Sequence, residues 1–270
     1  MDRMEVTETF AGISLPGHLH TEESLRFASS FQFQDTDVVI VTYPKSGKTS
    51  LLHRLCCWVP PPCSRHNPEL EGTAPLGAGQ GRACGHCSCL RVCLTPMSFV
   101  CSRSQVIYMA RNPKDVAVSF YHFHKMARVT SESQPSLLSA VQYGSWFDHV
   151  KGWLSQRAEL DLFYITYEDL HQLGRSVERL ADWLGCPLQP EESRAIQQHC
   201  SFSSMRENTM VNYTLIPCEI MDHSRGRFMR KGTGVGDWRD HFTPVQNMHF
   251  HKIYQEEMQD SSLRFRGLMD

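Results

Sequence analysis

An α/β fold on a central parallel sheet is predicted by three apolar, β-branched-rich runs, Asp37–Tyr43, Gln105–Ala110 and Leu162–Tyr167. Continuous runs of this kind suit strands covered on both faces. Segments with helical spacing follow them, which is the order of βαβ units. The 270 residues, 41% of them hydrophobic, suffice for one domain over residues 1–270 with helices flanking the sheet.

Residues 1–36 are polar and mixed, with a turn at Pro16-Gly17. The first strand ends at Pro44-Lys45-Ser46-Gly47, and apolar residues at 51, 52, 55 and 58 give Thr49–Trp58 a helical spacing. From Val59 to Ser104 the character changes: Pro60-Pro61-Pro62 stops any helix, and glycines 72, 77, 79, 81 and 85 follow. Residues 59–104 form a divergent Cys/Gly/Pro-rich segment with no predicted element. The second strand ends at Arg111-Asn112-Pro113, where proline suits the first turn of a helix running to about Arg128. Residues 130–140 read as a loop, Ser145–Gln156 as an amphipathic helix, and Leu162–Tyr167 as the third strand. Glu168–Leu170, Val177–Leu184, Pro190–His199 and Val245–Met258 are helical in pattern.

A net charge of -2 argues against binding nucleic acid by bulk charge, so any bound anion must be held by a local cluster. No apolar run of about 18 residues is present, so no spanning helix is expected. Met1–Glu5 lacks the apolar core of a signal peptide, which points to the cytosol and reduced thiols. Eight of the 11 cysteines fall between Cys56 and Cys101, an odd total that does not describe a disulfide framework. Cys84, His86, Cys87, Cys89 and Cys93 are soft metal ligands at close spacing, but they match no standard zinc knuckle, and no metal is expected.

Three elements could bind an anion. Tyr43 to Thr49 joins a strand to a helix, where free N–H groups and the helix dipole favour phosphate; Gly47 permits close approach, and Lys45 and Lys48 add charge. Gly47-Lys48-Thr49 also ends like a nucleoside-triphosphate loop, but Thr42 stands where that motif needs glycine, so a P-loop kinase is a partial match. The second element is Arg111 to Ser119, again at the carboxyl end of a strand. It reads equally as a capped helix start with a solvated arginine. The third, Arg230 to Trp238, places two cations before three glycines, a composition common in surface loops.

In this order and spacing the three elements resemble the cytosolic sulfotransferases. The family's TYPKSGTTW corresponds to Thr42–Ser50, its RNPKDxxVS to Arg111–Ser119, and its RKGxxGDWKNHFT to Arg230–Thr243 with changes. Gly144–His149 and Asn212–Leu215 look like the hydroxysteroid branch, close to its cholesterol-type members. The resemblance implies transfer of a sulfuryl group from 3′-phosphoadenosine 5′-phosphosulfate (PAPS) to the hydroxyl of a steroid or similar small lipophilic acceptor. It also implies that Lys45 stabilises the leaving 5′-phosphate and that Ser46, Gly47, Lys48, Thr49 and Ser50 cradle it. Arg111, Ser119, Arg230, Lys231 and Gly232 would hold the 3′-phosphate. Tyr167, Cys200, Phe202, Met205 and Phe228 would line the nucleotide pocket.

The departures are specific. Twenty-two residues before Arg111, where the family carries its base histidine, stands Cys89. A thiol with a pKa near 8.5 is a poor base at pH 7, and loss of a general base typically costs ~10²–10⁴ in rate. Ser50 replaces a tryptophan that stacks on adenine, Lys48 replaces threonine, and the glycine loop is one residue longer. The expected activity is therefore weakened, with a nucleotide-binding pseudoenzyme as the alternative. In the family's homodimer segment, Pro244 and Met248 replace valine and glutamate, so that motif is degraded.

Overall fold

The computed structural model describes residues 7–10, 12–17, 20–33, 37–47, 105–127, 143–231, 235–261, 263 and 265–268. Strands β1 (Thr7–Phe10) and β2 (Ile13–Pro16) form an antiparallel hairpin, followed by α1 (Glu22–Ser30). Then come β3 (Val38–Thr42), β4 (Gln105–Ala110), α2 (Pro113–Met126), α3 (Trp146–Ser155), β5 (Asp161–Thr166), α4 (Leu173–Trp183), α5 (Pro190–His199), α6 (Phe202–Glu207) and α7 (Pro244–Glu257).

The sheet is parallel in the order β3-β4-β5, with Ile40 opposite Ile107 and Ile107 opposite Phe163. Strand side chains alternate between the faces. Val39, Val41, Val106 and Tyr108 pack on one face with Val116, Val150, Trp153 and Phe250, from α2, α3 and α7. Ile40, Ile107, Met109, Phe163 and Ile165 pack on the other with Leu180 of α4. Burial on both faces explains why these strands read as unbroken apolar runs. Because all three run the same way, Tyr43–Gly47, Arg111 and Tyr167 emerge at one edge.

The helices begin where side chains satisfy their free N–H groups. Asn112 Oδ1 accepts from Lys114 N at 3.0 Å, with Pro113 next in the first turn. Ser145 Oγ accepts from Phe147 N and Asp148 N at 3.1 and 3.3 Å. Thr243 and Gln246 form a reciprocal capping box at α7. Pro244, foreign to the dimer motif, thus sits comfortably in the first turn.

The three predicted strands, the helix from Pro113 and the helices near Ser145–Gln156, Pro190–His199 and Val245–Met258 are present. Several expectations are corrected. Residues 1–36 are not featureless: they hold the hairpin, with Gly12 at φ +78° in its turn, and α1. Their strands of four residues are too short to display a period. Glu168–His171 is a 3₁₀ turn, and α4 starts at Leu173, ahead of the predicted Val177. The predicted helix Thr49–Trp58, the divergent segment 59–104 and the loop 130–140 lie outside the described residues. No helix among the described residues is long and apolar enough to cross a membrane.

Candidate active site

A cleft opens at the carboxyl ends of β3, β4 and β5. Its lining includes Lys45, Arg111, Ser119, Tyr167, Phe202, Met205, Phe228, Arg230 and Lys231. All nine were predicted, from five separate stretches of sequence. Ser46 and Gly47 stand beside Lys45 in the same loop. Lys48, Thr49, Ser50, Cys89 and Gly232 lie outside the described residues. Cys200 is not in the lining: it is fully buried with Val177 and Ile196 behind the cleft wall. Its side chain is taken up in that apolar cluster.

The phosphate loop is bent into unusual conformations. Lys45 has φ 69° and Gly47 φ 99°. A left-handed non-glycine residue costs on the order of 1–3 kcal/mol and persists only where its surroundings hold it. Arg111 supplies part of that hold, donating from Nη1 to Lys45 O at 2.9 Å. The Tyr167 ring lies against Gly47, so that a Cβ there would meet Tyr167 Cε2 at 2.8 Å. The guanidinium of Arg111 stacks on the same ring, with Cζ 4.2 Å from the centroid.

The ammonium of Lys45 is held by rings and not by an acid. Nζ lies 4.0 Å from the Phe123 centroid and 4.6 Å from that of Phe228. Phe228 is itself stacked on Tyr213 at 3.8 Å, in the segment that resembles the hydroxysteroid branch. Burial, and then the positive charge of Arg111, push the Lys45 pKa down to about 7. A half-buried ammonium with no carboxylate partner among the described residues is suited to an anion.

Two further orphans agree. Ser46 Oγ and Arg111 Nε are buried without a hydrogen-bond partner among the described residues. Native proteins leave few such groups unpaired, and these two flank Lys45. The loop therefore fits a phosphate with several oxygens.

The opposite wall is anchored by buried charges. Asp115, two residues into α2, accepts from Gly236 N at 2.9 Å and Trp238 N at 3.0 Å. Lys114, on the other side of the helix start, donates to Asn247 Oδ1 at 2.7 Å and Leu268 O at 2.6 Å, with Nζ 3.8 Å from the Trp238 ring. The pair locks the 235–238 stretch and α7 to α2. Arg230 is ion-paired to Asp237, and Lys231 Nζ bonds Asp237 at 2.6 Å and Asp240 at 3.1 Å. Burial opposes ionisation of Asp237, but Arg230 and Lys231 outweigh it and hold the pKa at about 2. Lys231 thus reaches the rim with its charge already engaged.

His122, Phe123, Met126, Arg227 and Met229 complete the lining and were not predicted. The first three continue from Ser119 at i+3, i+4 and i+7, so helical spacing from one known site residue would have found them. His122 Nε2 and His241 Nε2 are 2.9 Å apart, and His241 Nδ1 lies 2.9 Å from Asp237 O. If Nδ1–H donates to that carbonyl, Nε2 accepts from His122. With Asp237 these rings form a group of three metal-ligand types within 4.8 Å. Arg230 and Lys231 already occupy the carboxylate, however, and their charge opposes a cation.

A family model described as a sulfotransferase domain matches residues 86–262. The chain belongs to the sulfotransferase family. It is 39% identical to human sulfotransferase 2B1 over 92% of this chain and 73% of that protein. It is 38% identical to the 3-alpha-hydroxysteroid sulfotransferase of Cavia porcellus, over 93% of this chain and 94% of that one. Among solved structures, mouse sulfotransferase SULT7A1 complexed with PAP is similar at TM-score 0.71 and 27% identity, covering 95% of this chain and 96% of that one. The expected family and its α/β architecture are borne out.

Proposed function

We propose that this sulfotransferase takes its sulfuryl group from PAPS and transfers it to the hydroxyl of a small lipophilic acceptor, a hydroxysteroid or a molecule of similar shape, in the cytosol. One observation carries the reading: Lys45, Arg111, Ser119 and Arg230, from three separate segments, converge on one cleft walled by Tyr167, Phe202, Met205 and Phe228. Cations at two places and apolar rings between them suit a nucleotide with two separated phosphates. The relatives named for hydroxysteroids support the acceptor class.

Sulfuryl transfer resembles phosphoryl transfer in relying on positioning and on stabilising the leaving group's charge. The ammonium of Lys45 faces the developing charge, and Arg111 holds the loop that presents it. Two phenyl rings keep water from the ammonium, which strengthens its pull on an anion. Titration calorimetry with 3′-phosphoadenosine 5′-phosphate (PAP), followed by transfer of label from PAPS to a 3β-hydroxysteroid, tests the reading. The expected result is saturable binding and transfer. A cooperatively folded chain that binds no PAP refutes it.

A second reading, nucleotide binding without chemistry, is favoured by Cys89 at the position of the family's base. It predicts PAP binding with no turnover.

A further inference from the structure

We propose that His122 is a positioning residue for the 3′-phosphate end of the donor: through His241 it fixes the turn that anchors Arg230 and Lys231 at the cleft. The inference rests on the donor reading proposed above.

His122 lines the cleft together with Ser119, Arg230 and Lys231, three of the residues that the family resemblance places at the 3′-phosphate. Asp115, Ser119 and His122 recur at i, i+4 and i+7 along α2, so they share one face of that helix. At its start, Asp115 accepts from the amides of Gly236 and Trp238. Two turns on, His122 Nε2 lies 2.9 Å from His241 Nε2, with the two ring planes at 89°. His241 closes the 3₁₀ turn Asp237–Asp240, its backbone N–H bonded to Trp238 O at 3.0 Å. Its Nδ1 stands 2.9 Å from Asp237 O. The carboxylate of Asp237 is the shared anchor of Arg230 and Lys231. One helix therefore grips one turn at two points. Asp115 takes the amides on either side of Asp237, and His122 takes the carbonyl of Asp237 by way of His241.

The carbonyl sets the direction of these bonds. A carbonyl oxygen only accepts, so Nδ1 of His241 carries the hydrogen and donates. Nε2 of a neutral His241 is then a lone pair, and His122 donates to it from Nε2. Burial, and then Arg230 and His241, lower the pKa of His122 to about 4 against the pull of Asp237, and Lys125 on its own helix adds to the lowering. The ring is thus neutral at pH 7. The hydrogen of its Nε2 is given to His241 and not to a ligand, which makes His122 a residue that acts through others.

The consequence at the nucleotide is one-sided. Lys45, at the 5′-phosphate, is held by Arg111 through its carbonyl and by the rings of Phe123 and Phe228. None of these contacts involves residues 237–241. Removing the His122 contact frees the Asp237 turn and with it the seat of Arg230 and Lys231. The loss falls on nucleotides that carry a 3′-phosphate.

The test measures calorimetric affinity for PAP and for 5′-AMP, which lacks the 3′-phosphate, in wild type, H122L, H122Q, H241N and the H122L/H241N double variant, with a thermal melt of each. Binding is read without turnover, so the test serves whichever way Cys89 affects catalysis. H122L should lose PAP affinity about tenfold, the cost of one hydrogen bond whose partner is left unpaired, while its 5′-AMP affinity stays at the wild-type value. H122Q, whose amide N–H can reach His241 Nε2, should recover most of the loss. H241N keeps a donor for Asp237 O but lacks the nitrogen that meets His122, so it should match H122L, and the double variant should lose no more than either single one. Unchanged PAP affinity in H122L overturns the proposal. So does an equal loss for PAP and 5′-AMP, which would be a general distortion of the cleft, and so do fully additive losses in the double variant. Should H122L fail to melt cooperatively, H241N reads the same contact by the same criteria. A folded wild type that binds no PAP instead refutes the donor reading itself.

Discussion

Raising the pH should weaken PAP binding through Lys45, and the structure sets the size of the effect. Its ammonium lies between two phenyl rings with Arg111 nearby, which brings the pKa to about 7 from the usual 10.5. A phosphate beside it would restore the charged form. Binding at pH 7 should then take up about half a proton, and at pH 8 about nine-tenths of one. Affinity should fall roughly tenfold per pH unit above pH 7, ~1.4 kcal/mol for each. Other groups titrate lower. Burial raises Glu168 to about 6, and burial with Arg230 lowers His122 to about 4. Calorimetry at pH 8 in buffers of different ionisation enthalpy reads the uptake directly, and K45M should remove most of it. The free protein carries the opposite signature. Its folded-state pKa lies below the unfolded value, so between about 7 and 10.5 the unfolded chain binds more protons and stability rises with pH. The charge costs the fold at most about 5 kcal/mol below pH 7, less to the extent that water reaches the partly exposed residue. K45M should accordingly raise Tm at pH 6.5. Buffer-independent binding heats at pH 8, together with an unchanged Tm in K45M, would refute the argument.

Three other outcomes are expected. G47A should lose PAP affinity at least tenfold, because φ 99° and the Tyr167 ring both exclude a Cβ; a calorimetric titration with a melt as control decides it. D115A should unpair two buried N–H groups, lower stability by about 2–4 kcal/mol in denaturant melts, and weaken PAP binding by loosening the 235–238 stretch. Asp237 has a depressed pKa of about 2, so its stabilisation is present above about pH 4 and is lost as pH falls toward 2. D237N should flatten the acid limb of a stability profile in that window.

The residues of the site were legible where a strand ended and a charge or glycine followed. Lys45, Arg111 and Tyr167 stand at the ends of three runs that burial on both faces made continuous. Parallel pairing then puts all three at one edge, which is why linear motifs became a cleft. What stayed hidden was the support between distant segments. Asp115 reads in sequence as an acid in the first turn of a helix, favourable there on dipole grounds alone. Its partners are amides at 236 and 238, a pairing that no local pattern encodes. Lys114 reads as a solvated cation, yet it is 0% exposed because Asn247 and Leu268 O, more than 130 residues away, receive it. The consecutive Lys114 and Asp115 are therefore not one ion pair. They are two separate anchors, one for α7 and the chain beyond it, the other for the stretch that follows Arg230 and Lys231. Residues chosen by resemblance for binding are thus held by neighbours in the same motif that touch no ligand. That division accounts for a motif longer than its binding residues require, and it makes D115A the sharper probe: it should move the Arg230 wall while leaving Lys45 and Arg111 where they are.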